Sequence, residues 1–136
     1  MCGSCIEGTA SGAGSGSKPL PALYKAYVMD KCPECSEGDL DFGISGDGRW
    51  DIDWRFIPCP GESVSFVFEG SNAFYWKIQP RGTKTPVETL TVNGLPGQRT
   101  DDNFFVVNND GPAWSGAQTV VTTTLDGVTE TTEVSL

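Results

Sequence analysis

Cysteine thiols, carboxylates and one run of adjacent aromatic rings are the groups of this chain that could do chemistry. Five cysteines, Cys2, Cys5, Cys32, Cys35 and Cys59, all lie in the first 59 of 136 residues. Two CxxC pairs, CGSC and CPEC, have the spacing of paired thiolates around a tetrahedral zinc ion. Against a zinc ribbon stand the fifth cysteine at a strand end and the long glycine-rich gap between the pairs. A redox-active CxxC would be accompanied by a βαβ pattern, and none is present. Disulfides are the remaining reading, but spacing alone does not give their connectivity.

Asp30, Asp39 and Asp41 are the acidic candidates. Two carboxylates flanking a sugar chain can perform acid–base hydrolysis. Most acids of so acidic a chain are solvated surface groups, and composition does not separate the two roles. Phe74, Tyr75 and Trp76 are consecutive. Side chains alternate along a strand, so three adjacent rings cannot all face one side, and at least one is expected to be exposed. An exposed flat ring stacks on the C–H face of a pyranose sugar and needs no charge to do so. Trp114, in a nearby GPAW loop, is a further candidate ring.

The charge narrows the partners. Nine basic and 18 acidic residues give a formal charge of −9. Such a chain repels phosphate backbones, so nucleic acid is not an expected partner. Acidic pectins and anionic membranes are disfavoured in the same way, and a neutral polymer is not. No His is present, which removes the commonest general acid–base and metal-ligating group. No metal and no cofactor are expected. No apolar run reaches the length of a membrane span. Met1 is followed at once by CGSC, without the basic and then apolar stretch of a leader.

The elements that must position these groups read as β throughout. Residues 8–21, GTASGAGSGSKPLP, have the composition of a flexible loop. YKAYVMD (24–30) reads as a strand, and CPECSEGDLD as a loop with a tight turn near Gly38. RWDIDWRF (49–56) alternates: Trp50, Ile52, Trp54 and Phe56 share one face and charged residues the other. Trp50 and Trp54 therefore have packing roles. Cys59-Pro60-Gly61 breaks the strand and marks a domain boundary, dividing residues 1–60 from 61–136. Beyond it come SVSFVFE, FYWKIQ, VETLTV closed by Asn93-Gly94, NFFVV, and two Thr-rich strands flanking Asp126-Gly127. This is the pattern of a small antiparallel sandwich.

Three segments together resemble one known family. CPECSEGDLDFG (32–43) and EGSNAFYWKIQ (69–79), joined by WDIDWRFIPCP (50–60), are similar to the junction of the two domains of an expansin. The resemblance implies an all-β fold: a partial double-psi β-barrel in residues 1–60, followed by an immunoglobulin-like β-sandwich that binds carbohydrate. It implies disulfides Cys5–Cys59 and Cys32–Cys35, leaving Cys2 odd. It puts Asp30 and Asp41 in a groove that grips a glucan without cleaving it, because expansins lack the catalytic base of the endoglucanases that share their barrel. It makes Phe74 and Tyr75 two rings of a linear sugar-binding platform, with Trp76 one residue later. The family's third ring has no counterpart in Asp102-Asn103-Phe104-Phe105, and Trp114 is the candidate substitute. The barrel strands that precede the CGxC motif in the family, and the helix after its second acidic motif, are not found, so an N-terminally truncated barrel is expected. The implied protein is a secreted, monomeric cell-wall protein that binds and loosens cellulose or a related β-glucan. A plain binding module, an endoglucanase-like hydrolase and a zinc-ribbon interaction protein are the alternatives.

Overall fold

The computed structural model describes residues 2–17, 20–44, 46, 48–60 and 63–136. Among these there is no helix. The first part is a three-stranded antiparallel sheet of β1 (Cys5–Gly16), β2 (Leu23–Tyr27) and β3 (Gly48–Ile57), in the order β2-β1-β3. β1 pairs with β3 from Cys5↔Ile57 to Gly16↔Gly48, with an irregularity between Ala10 and Gly14.

Residues 8–16 therefore correct the flexible-loop expectation. Pairing with β3 supplies the backbone hydrogen bonds that composition alone does not reveal, and the small residues are what the pairing needs. A β-carbon on Gly8 would collide with the Tyr24 ring and the Asp53 carbonyl, and one on Gly14 with Arg49 and Trp50. Glycine lets bulky neighbours lie directly across the strand. β3 alternates as the sequence predicts. Trp50, Ile52, Trp54 and Phe56 are half-buried between exposed charged residues. The loop after β2 closes over this face. Trp54 Nε1 donates to the Gly38 carbonyl at 2.7 Å, and Phe42 meets Tyr24 edge-to-face at 5.1 Å.

The second part is a sandwich of two four-stranded antiparallel sheets. One has the order β4-β5-β9-β8, from β4 (Ser65–Phe68), β5 (Tyr75–Arg81), β9 (Phe105–Asn108) and β8 (Gln98–Arg99). The other has the order β11-β10-β6-β7, from β6 (Val87–Val92), β7 (Leu95–Pro96), β10 (Gln118–Thr124) and β11 (Thr129–Val134). The expected Asn93-Gly94 turn links β6 to β7, with both residues at positive φ, 49° and 81°. Inward positions of both sheets build one core: Trp76, Ile78, Val87, Leu90, Val92, Phe105, Val107, Val120 and Val134.

The segment Cys2–Ser4 joins the two parts. Gly3 N donates to Val28 O at 2.8 Å, beyond the end of β2, while Gly82 N donates to Gly3 O at 3.0 Å, just past β5. Ser4 forms a parallel bridge with Thr83, and Asn103 Nδ2 donates to Cys2 O at 2.8 Å. The expected boundary at Cys59-Pro60-Gly61 runs into residues 61–62, which lie outside the described residues.

Candidate carbohydrate-binding site

The state of the cysteines decides which chemistry is open. Cys5 is joined to Cys59 and Cys32 to Cys35, the two pairs the resemblance implies. Three of the four thiolates of a zinc ribbon are thus disulfide sulfurs, and the zinc reading falls. Cys2 is free and buried. Burial pushes its thiol pKa up, and the charges of Asp30 and Asp102 act in the same direction.

The aromatic run sits where the chain enters β5. A turn at residues 72–75 is closed by Asn72 N donating to Tyr75 O at 2.7 Å, and the Asn72 side chain accepts from Phe74 N at 2.8 Å. The 109–114 segment ties the same turn from the other side: Asn109 N donates to Phe74 O at 2.8 Å and Trp114 N to Ala73 O at 2.9 Å. The three rings then separate. Phe74 is 53% exposed, Tyr75 is half-buried, and Trp76 is 1% exposed. Trp76 packs edge-on against Phe68 at 5.0 Å and Trp114 at 5.1 Å.

Trp76 is therefore a core residue and is removed from the candidate platform. Strand alternation turns it inward and Tyr75 outward. Trp114 is half-buried, as Tyr75 is, and packs edge-on against Trp76. Phe74 and Tyr75 lie on a turn and strand held at both ends, with Trp114 in the segment that ties the turn.

One ring escaped the sequence reading. Phe104 precedes the buried Phe105 and stays half-buried, with the Lys77 ammonium 4.7 Å above its ring centroid. Lys77 also pairs with Glu69 at 2.5 Å and Asp102 at 3.0 Å. Glu69 above all, then Asp102, raises the Lys77 pKa. The Thr100 hydroxyl, followed by Lys77, holds the Asp102 carboxyl below its usual range. The alternation of Phe104 with Phe105 was the available signal, and the apolar look of the pair hid it.

The acidic candidates lie on the three-stranded part. Asp41 lines a cleft of about 440 Å³ together with Glu34, Asp39, Arg49, Trp50 and the Cys32–Cys35 disulfide. Asp30 does not line this cleft. It follows β2, accepts a hydrogen bond from Lys31 N at 2.8 Å, and stands beside the Lys31–Asp101 ion pair that links to the sandwich. The structure thus puts Asp41 in a cleft and Asp30 at the joint between the two parts.

A two-part all-β architecture is defined by these features: a disulfide-stapled sheet bearing an acidic cleft, joined to a sandwich with Phe74 exposed and Tyr75 half-buried on its surface. Two solved structures match its fold over 97% of this chain. They are an aspartate-to-asparagine mutant of Clavibacter michiganensis expansin in complex with cellohexaose (TM-score 0.64) and the apo form of that expansin (TM-score 0.65). Each is 21% identical to this chain, which covers 67% of the expansin's length. The fold is therefore the expansin fold, as the sequence resemblance implies. No protein-family profile matches the chain. No curated protein matches it either.

Proposed function

We propose that this chain is an expansin-type, non-hydrolytic binder of cell-wall polysaccharide, with residues 1–60 as the barrel-derived unit and residues 61–136 as the carbohydrate-binding sandwich. The observation that carries the reading is the 53% exposure of Phe74, beside the half-buried Tyr75 at a hydrogen-bonded turn, within a fold of which one solved structure is a complex with cellohexaose. The rings dock on a neutral β-glucan by stacking, which a chain of charge −9 can do without electrostatic help. Asp41, in its cleft, holds an adjacent chain by hydrogen bonds and so weakens the lateral bonds between chains. Asp30 contributes from the joint and not from the cleft. The disulfides fit a secreted, extracellular protein. It acts as a monomer.

Incubation with insoluble cellulose, xylan and chitin tests the reading. Depletion of the protein from solution over cellulose, without release of reducing ends, is the expected result. Glu34 and Asp39 share the cleft with Asp41, which supplies the paired carboxylates that a hydrolase would need. Reducing ends that vanish in Asp41→Asn would replace binding with hydrolysis as the function.

A further inference from the structure

The outer face of the β4-β5-β9 sheet carries more than rings. Ile78 pairs with Phe68 on β4 and with Phe105 on β9. Glu69 N donates to Lys77 O, and Lys77 pairs with Val106, so Glu69, Lys77 and Val106 form one row across the sheet. Tyr75 lies two residues earlier on β5, about 7 Å along the strand on the same face. The Lys77 side chain is 20% exposed, against 59% for Glu69 and 41% for Asp102.

The ammonium is held without being fully spent. It has three N–H donors. Glu69 Oε2 and Asp102 Oδ2 engage two of them, and the Phe104 ring backs the cation. The Lys77 contact engages only one oxygen of Glu69. Two carboxylates against one ammonium leave the group net negative, so it suits hydroxyls better than anions.

Building on the proposed stacking of a glucan on Phe74 and Tyr75, we propose that Glu69, Lys77 and Asp102 form a polar subsite that hydrogen-bonds the hydroxyls of the next sugar along the polymer. The rings supply contact area, and the polar row fixes the orientation of the sugar. Fixing the row in advance by two ion pairs avoids ordering a free lysine when the polymer binds.

Calorimetric titration with cellohexaose tests this on four proteins: the parent, Tyr75→Ala, Lys77→Met and Glu69→Gln, each with its melting temperature. Methionine keeps an apolar stem over Phe104 and removes the donors. The parent is expected to bind and Tyr75→Ala to lose binding. Lys77→Met should bind about tenfold more weakly and Glu69→Gln about threefold, at unchanged melting temperature. Parent-like affinity in both polar variants, with binding lost in Tyr75→Ala, overturns the subsite and leaves the stacking reading standing. No binding by the parent overturns both. Should Lys77→Met fail to fold, Glu69→Gln decides alone, since its carboxylate is largely exposed: weakened binding supports the subsite and parent-like binding overturns it.

Discussion

The three-stranded sheet and the sandwich reach stability by different means. Among the described residues of 1–60 the buried hydrophobic side chains are Cys2, Cys5, Ile6 and Cys59, and both disulfides lie there. The sandwich has no cysteine but buries nine apolar side chains in one cluster. A sheet covered on one face by a loop gains little from burial and depends on covalent closure, whereas two facing sheets exclude water from both inner surfaces. The division also suits the proposed function, because the rings proposed to dock a polymer sit on the part with the dense core.

The largest effect that could break this comparison lies in the sandwich. Trp76→Ala should cost about 3–5 kcal/mol by leaving a cavity between Phe68 and Trp114. Chemical denaturation should show the sandwich unfolding early, and a cost below about 1 kcal/mol would contradict a core built on Trp76. Next comes the staple. Cys5→Ser with Cys59→Ser opens a closure spanning 54 residues and should cost about 3–4 kcal/mol by the chain-entropy argument. Hydrogen exchange should then lose protection in β1 and β3 while β5 and β9 keep theirs. Equal loss in both parts would show that they do not differ as described.

Smaller substitutions sharpen the contrast. Gly8→Ala should destabilise the sheet by about 1–3 kcal/mol, since the new methyl group meets both the Tyr24 ring and the Asp53 carbonyl of β3. Thermal melting of the variant checks this, and an unchanged melting temperature would contradict close packing of β2 and β3 across Gly8. The smallest effect is electrostatic. The folded Asp102 carboxyl titrates below its unfolded value. Its contribution is full above the ordinary aspartate pKa of about 3.9 and is lost as pH falls through the lower folded value. Asp102→Asn should therefore flatten the acid limb of the stability profile below about pH 4, modestly because the pair is partly exposed. An acid limb identical to the parent's would remove Asp102 from the account.

Strands of both parts were legible in the sequence, because alternation and turn residues are local signals. VETLTV followed by Asn93-Gly94 became β6 and its turn, and the alternating RWDIDWRF became β3. Residues 8–16 were not legible as a strand. Their glycines look flexible until β3 and Tyr24 are placed against them, and that information is tertiary. The site was half legible. That Phe74, Tyr75 and Trp76 cannot share a face follows from strand geometry, but which ring turns inward depends on the register of β5 against β4 and β9. The Lys77 network was invisible for the same reason: Glu69 and Asp102 lie 8 and 25 residues from Lys77 and meet it only through sheet pairing.

The central claim is that Phe74 and Tyr75 are a sugar-binding surface while Trp76 is not. It is tested most directly by depletion over insoluble cellulose, comparing the parent with Phe74→Ala/Tyr75→Ala at matched melting temperature. The parent is expected to be depleted and the double variant to stay in solution. Equal depletion of the two proteins, or depletion of neither, would contradict it.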